Sequence, residues 1–498
     1  MSAGQTPSIV RAGALSMVAL VAVGGTRLVH GSLTSHATDR ATYGLVGIML
    51  AASLVASLLL PGGISSGLSK FIAFHRGAGD PASAWAVHRS LSRLGTVAAV
   101  LLGVAATGVV HWAYRPDVLD SLSLLALTVS YSMYTMDKAA LYGHGLVARY
   151  AGIEIVTSLL AVAGTAVVVL TGTTTYLLPL CVGYGSFVVL SRWRLRSHHR
   201  AEGRPAGGRF PRREVMAFVL LGSVGTVASA GFLQGTQLLA GRFAEPSEVA
   251  HVVAAVTLIA PLYFLPRGLA LALFPVMAGA QGAGDTSAVR RQVDSATRLL
   301  ATTMTPVLLL GLLVAPVVLS LFGGARYAAG ADVLRLMLCA AFFGIVQVPS
   351  VNALASGSVA RTRIPVASAV TGCLVGLVLV WVTAPRLGAE GVALGYLVGT
   401  AVTAALPVLA VRRIHRLPWA GLLARCAGLL AVGLVVSRLD VLAGWSWSTL
   451  GVGAALLVGA LIVLGRDLNL LRRLLRARRD PLPAAPPVAA ATASERTL

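Results

Sequence analysis

Apolar runs of about twenty residues, separated by short polar breaks rich in arginine, recur along almost the whole of this 498-residue chain. A helix needs about 20 apolar residues to cross about 30 Å of hydrocarbon. The pattern predicts fourteen spanning helices, over 8–30, 42–64, 91–113, 119–141, 149–171, 174–192, 214–240, 248–275, 299–322, 331–354, 364–385, 391–411, 418–437 and 446–465. The first run, after Arg11, is too long for a secretory signal and leads straight into more apolar sequence, so it reads as a span. The fold class is all-α and polytopic, in the plasma membrane.

Charge gives the expected orientation. With the N-terminus inside, about 31 cations fall in one set of breaks and about 8 in the other, leaving Arg267 within a span. Cytoplasmic breaks carry the excess of Lys and Arg, so both termini are expected in the cytoplasm. A net charge of +22 would suggest nucleic acid in a soluble protein. Here it is topological, and no nucleic-acid partner is expected.

The longest polar break, Arg192 to Arg213, divides the first six helices from the next six. It predicts two six-helix lobes, 1–192 and 214–415, joined by a basic cytoplasmic linker, 193–213. An internal echo crosses it. GLSKFIAFHRGAGD, from Gly67, and GLALALFPVMAGAQGAGD, from Gly268, each pass through Ala-Gly-Asp into a basic helix start, with Asp80 and Asp285 offset by 205 residues. Parallel repeats of this kind are common in transporters. Residues 416–466 form two peripheral helices, and 467–498 a cytoplasmic tail with a short basic amphipathic segment, DLNLLRRLLRARRD, suited to anionic membrane lipid, and a disordered end.

Composition changes this picture little. The chain is 56% apolar and 12% charged, a membrane composition. Lys70 and Lys138 are the only lysines, a bias expected of a GC-rich bacterial genome. Cys181, Cys339, Cys373 and Cys426 each lie alone in an apolar run, so neither a disulfide framework nor a metal site is expected, and no cofactor is implied.

The order of GLSKFIAFHRGAGD, ALYGHGLVARYAGIEI, LALALFPVMA, LSLFGGARYAAGADVLRLM and APRLGAEGVALGYLVGTAV resembles the multidrug, oligosaccharidyl-lipid and polysaccharide exporter superfamily, particularly its polysaccharide-transporter branch, over about residues 1–415. The resemblance implies a V-shaped pair of lobes that moves a polyprenyl-diphosphate-linked oligosaccharide between leaflets by alternating access. Its expected partners are that lipid-linked glycan and enzymes of glycan biosynthesis, and a monomer is expected.

A diphosphate-linked sugar needs cations, hydrogen-bonding groups and aromatic faces along its path. Arg267, beside Pro266 and between Pro261 and Pro275, is the first candidate, because a guanidinium can pair two phosphate oxygens. Lys70 lies near the end of the second helix, and Arg11 and Arg27 bracket the first. Ser223, Thr226, Ala230, Gln234 and Gln237 form a polar stripe on the seventh helix, and Tyr131, Thr135, Lys138 and Tyr142 share a face of the fourth. Each stripe either binds substrate or packs against another helix. Asp137 and Glu154 are candidates for an ion-coupling role, with pairing to Lys138, Arg149 or Arg89 as the simpler account.

The first helix holds no Asp or Glu, which weighs against the alternative of a cation-coupled multidrug or metabolite exporter. A polytopic glycosyltransferase or polymerase ranks lower still. The outer breaks are short and hold isolated acids such as Asp39, Asp117 and Asp120, so a non-enzyme is expected.

Overall fold

A computed structural model describes residues 6–203, 205, 207–264, 266, 269–270, 273, 277, 280–281, 285–356, 359–439 and 447–477. Among them there is no strand. The helices are α1 (Thr6–Ala37), α2 (Arg40–Leu58), α3 (Leu60–Gly77), α4 (Pro81–Tyr114), α5 (Val118–Gly143), α6 (Val147–Thr171), α7 (Leu178–Ala201), α8 (Arg212–Phe243), α9 (Pro246–Ile259), α10 (Thr286–Gly323), α11 (Ala331–Val346), α12 (Val348–Ala355), α13 (Val359–His415), α14 (Ala420–Val436) and α15 (Trp447–Ala477). Among the described residues ten stretches are long and apolar enough to cross a bilayer. The longest of these, Arg363–His415, contains two arms joined at Gly388. Gly388 has φ +54° and ψ −132°, a conformation open to glycine, and Glu248 accepts a hydrogen bond from the Ala389 amide beside it at 3.2 Å.

Several boundaries differ from the sequence expectation, each for a physical reason. The first helix runs to Ala37 rather than 30, because Thr26 and Thr38 bond back to carbonyls four residues earlier and His30 finds the Tyr176 carbonyl at 2.8 Å. Polar residues there continue the helix instead of ending it. The second span breaks at Leu59, ahead of Pro61, into α2 and α3. The Leu58 carbonyl left by the break accepts a 3.0 Å hydrogen bond from Thr226 of α8, the kind of neighbour rescue that lets a broken helix persist in a membrane. The eighth span breaks similarly after Ile259, where Ala260–Tyr263 forms a 3₁₀ turn containing Pro261. Helix α7 continues to Ala201 and α8 starts at Arg212, so the connecting segment is shorter than the polar break. The basic segment after Asp467 is continuous with the last helix through Ala477, and the end beyond it lies outside the described residues.

The Ala-Gly-Asp echo has a local cause. Asp80 caps α4 by accepting from the Ser83 amide at 2.9 Å, and Asp285 caps α10 by accepting from the Ala288 amide at 2.9 Å. Each cap starts a long helix after a loop at the arginine-rich end of the bundle, called here the basic end.

Two apolar cores organise the packing. One joins residues of α2 to α5 and α7, including Met49, Ile64, Leu91, Leu124 and Phe187. The other joins α9, α10, α11 and the later arm of α13, including Val252, Leu308, Met337 and Val392. They meet along a close seam between α3 and α8. A methyl group on Gly63 would sit 2.1 Å from the Val219 carbonyl oxygen, so this approach requires glycine.

The last two helices are fastened to α10 by charge. Asp467 of α15 accepts from Arg298 Nη1 at 2.8 Å and also pairs with Arg425 of α14; Asp294 accepts from Arg298 Nε at 3.0 Å and Trp419 Nε1 at 2.8 Å. Replacing Asp467 by alanine leaves Arg298, whose side chain is 4% exposed, with Asp294 as its one remaining carboxylate, and is expected to cost about 2 kcal/mol. Arg425→Ala, at a side chain 39% exposed, should cost less than about 1 kcal/mol. Denaturation midpoints of the purified protein in detergent measure the difference.

Candidate functional site

Between the two cores lies a cavity of about 910 Å³. Helix α1 contributes Arg27 and His30, α3 contributes Ser69 and Lys70, and α5 contributes Tyr131, Thr135, Lys138 and Tyr142. The opposite wall is Gln234 and Gln237 of α8, Thr257 of α9, and Tyr396, Thr400 and Thr403 of α13. Three cations and no carboxylate appear among the described lining residues.

Arg27 sits inside a membrane-length helix, not at its flank as the sequence reading placed it. Its Nε donates to the Tyr184 hydroxyl at 3.2 Å, and its guanidinium lies 5.1 Å from the centre of the Tyr131 ring. Tyr131, Tyr134 and Tyr184 pack as an aromatic group, with ring centres 4.9 to 5.7 Å apart. Nη2 of Arg27 has no hydrogen-bond partner. The guanidinium is therefore anchored through one nitrogen and a ring face, leaving donor capacity beside the cavity. Lys70 Nζ lies 4.1 Å from the centre of the Phe218 ring, and Lys138 Nζ 5.1 Å from that of Tyr150.

The two polar stripes divide their roles. On α5 all four residues, Tyr131, Thr135, Lys138 and Tyr142, line the cavity. On α8 Ala230, Gln234 and Gln237 do so, with Gln237 Nε2 donating to Gln234 Oε1 at 3.1 Å, while Thr226 serves the α2–α3 break and Ser223 packs at the Gly63 seam. Sequence reasoning missed His30, Tyr396, Thr400 and Thr403. The last three recur at helical spacing on α13 and could have been found as the α8 stripe was.

The remaining candidates fall elsewhere. Asp137 is 2% exposed and pairs with Arg192 Nε at 3.0 Å, with Ser191 donating at 3.3 Å, so its partner is on α7 rather than Lys138, Arg149 or Arg89. Glu154 accepts from the Tyr134 hydroxyl at 3.0 Å and lines a small recess with Thr26, Thr157 and Tyr184, behind the aromatic group. Arg11 lies on α1, but its side chain is outside the described residues, as are Arg267 and Pro275.

The end opposite the basic end, the far end, is closed by contacts between the two halves. Ser32 and Ser35 of α1 both donate to the Phe322 carbonyl of α10, at 2.9 and 2.8 Å, and Arg326 donates to the carbonyls of Ser35 and Thr38. Tyr43 packs edge-on against Phe322 and Tyr327.

Residues 231–382 match the MatE family model. An inward-facing multidrug resistance MATE family transporter of the MOP superfamily matches with a TM-score of 0.66 at 16% identity, over 80% of this chain and 94% of that one. The chain has the MOP-superfamily fold. A MOP superfamily transporter from Pyrococcus furiosus, described as having reversed binding-pocket polarity, matches at 0.62 and 18% identity, over 82% and 95% of the two chains. The lipid II flippase MurJ in an inward closed conformation matches at 0.58 and 13%, over 91% of this chain and 99% of that one. No curated protein sequence matches. Within this MOP fold the far-end contacts close one end of the cavity.

Arg326→Ala removes charge-assisted bonds worth about 1.5 kcal/mol or more, which shifts a closed-to-open equilibrium about tenfold. A cysteine in place of Gln234 should then react about tenfold faster with an impermeant maleimide supplied from the far end. Unchanged labelling would show that Arg326 does not hold this end closed.

Proposed function

We propose that the protein is a flippase that carries a polyprenyl-diphosphate-linked oligosaccharide or cell-wall polymer precursor from the inner to the outer leaflet by alternating access. The observation that carries this reading is the cavity wall of Arg27, Lys70 and Lys138 with no carboxylate among its described residues. A cationic substrate would meet like charge there, whereas a diphosphate would meet opposite charge and the unpartnered Nη2 of Arg27. The carboxamides and hydroxyls of the other wall suit sugar hydroxyls, and tyrosine faces suit sugar rings.

Two further facts support it. The match to the lipid II flippase extends over 91% of this chain, against 80% for the inward-facing MATE transporter, and this chain carries α14 and α15 beyond α13. The excess of arginine at one end supports a cytoplasmic side for that end by the positive-inside rule, and a cavity closed at the far end would then load from the inner leaflet. The two halves would rock about the α3–α8 seam, with the breaks at Leu59 and Pro261 taking up the bend.

The second reading, a cation-coupled multidrug or metabolite exporter, is favoured by one observation: the buried Glu154 recess beside the cavity. In the flippase reading Glu154 instead serves as the coupling group while the cavity holds the anion. A transferase or polymerase has less support, because relatives with this fold are transporters.

Binding to the protein in nanodiscs separates the readings. A polyprenyl-diphosphate glycan should bind, and Arg27→Ala should weaken it at least tenfold while Arg27→Lys recovers part of the loss. The matching polyprenyl alcohol and a lipophilic cation such as tetraphenylphosphonium should bind poorly. Tight binding of the cation, with the diphosphate lipid ignored, would favour the exporter reading.

A further inference from the structure

Five of the ten histidines, His75, His88, His144, His198 and His199, gather at the basic end of the first half, where the cavity does not reach. All but His75 pack around Trp85, which is 4% exposed, with ring centres of His144 at 4.2 Å, His199 at 4.3 Å, His88 at 5.1 Å and His198 at 6.3 Å. The Trp85 indole donates to Glu202 Oε2 at 2.9 Å, and Glu202 opens the segment that joins α7 to α8. Arg76 is forked across the group: Nη2 donates to Glu202 Oε1 at 2.7 Å, and Nη1 lies 3.3 Å from His144 Nδ1. His198 Nε2 is 3.1 Å from the same Glu202 oxygen.

The proton positions follow from chemistry. Arginine can only donate, so His144 Nδ1 must be the unprotonated, accepting nitrogen. The proton of His144 is then on Nε2, which lies 3.2 Å from His88 Nδ1 and donates to it. A second proton on His144 would remove the acceptor that Arg76 uses and set two cations 3.3 Å apart. Ring nitrogens of His88 and His144 address each other, His144 also addresses Arg76 and His198 lies beside Glu202, and among the described residues no group of three or more His, Cys, Asp or Glu is arranged to hold a metal.

We propose that this cluster is a pH-sensitive clasp that holds the segment between the two halves against the first half, and that protonation of His144 releases it. Every packed element supplies charge. Arg76 and His75 come from α3, His88 and Arg89 from α4, Arg149 from α6, and Arg192, His198 and His199 from α7; Glu202 is the acid that faces them. Burial, with His88 and the Arg76 charge, pushes His144 down to about 2 from its usual 6.5. The sign follows: the clasp is complete above about pH 6.5 and weakens as pH falls below it. Glu202 does not drive the change in that range, since burial raises its pKa but the bonds from Arg76 and Trp85 outweigh it and hold it at about 2. A second tether, Ser83 Oγ donating to the Arg209 carbonyl at 2.6 Å, contains no titrating group, so release is confined to residues before it.

Hydrogen exchange of the peptide 198–208 in the full-length protein, corrected for the intrinsic pH dependence of amide exchange, tests the clasp. Protection should fall about tenfold between pH 7.5 and 5.5. His144→Gln supplies an oxygen to accept from Arg76 and an amide to donate to His88 without titrating, and should stay protected at both values. Glu202→Gln should be poorly protected at both. Unchanged or rising protection of the natural protein at pH 5.5 would overturn the proposal, as would the same pH-dependent loss in His144→Gln.

Discussion

A guanidinium in the middle of a membrane-length helix dictates what surrounds it. A cation near the bilayer centre costs about 2.5 to 3.5 kcal/mol on insertion scales, more where no water reaches it. Arg27 meets that cost with a tyrosine hydroxyl, a tyrosine face and an adjoining cavity. These requirements reach outward. Tyr184 must come from α7 and Tyr131 from α5, so α1, α5 and α7 converge on one point. Tyr134 completes the aromatic group and turns its hydroxyl to Glu154 on α6. One interior charge thus ties four helices of the first half together.

The backbone imposes the second constraint. In hydrocarbon each peptide group needs a partner within the protein, and the second span is broken where no lipid could serve. Thr226 of α8 supplies the missing donor at Leu58, and Gly63 lets α8 come close enough for it to do so. The seam between the halves therefore combines a close glycine contact and one obligatory hydrogen bond with an aromatic contact, Phe71 edge-on to Phe218 at 5.5 Å. The far end, with its serine, arginine and tyrosine contacts, is the specific latch.

How much of this was legible in the sequence can be judged residue by residue. Apolar runs of bilayer length announced most spans, because hydrocarbon thickness is a constraint each helix meets alone. Polar residues at helical spacing announced the cavity faces of α5 and α8 for the same reason. Arg27 was misread as a flank because Thr26, His30, Ser32 and Thr34 look like the end of a helix. Thr26 instead bonds to its own helix at Ala22, and His30 and Ser32 find carbonyls 146 and 290 residues away, which local pattern does not show. The Asp137 partner was likewise misjudged: Arg192 lies on a helix 55 residues later and was counted as linker charge. The histidine cluster was invisible, since its members come from four separate segments and none forms a motif.

The two walls of the cavity differ in a way that bears on movement. Its described cations all come from helices before the connecting segment, and their immediate supports, Tyr184, Tyr131 and Tyr150, lie in the same half. Phe218 of α8, against Lys70, is the exception and sits at the seam. Rotation of one half against the other would carry Arg27 and Lys138 as a unit, with their spacing and their aromatic supports unchanged. The wall of Gln234, Gln237, Tyr396 and Thr400 would slide past it. An anionic group held by the first wall would then keep its contacts through the cycle, while a neutral, hydroxyl-rich portion exchanged hydrogen bonds with the second. In the proposed flippase reading that division would suit a substrate with one charged junction and a variable glycan: the fixed wall would recognise what all such substrates share, and the sliding wall would tolerate what differs among them.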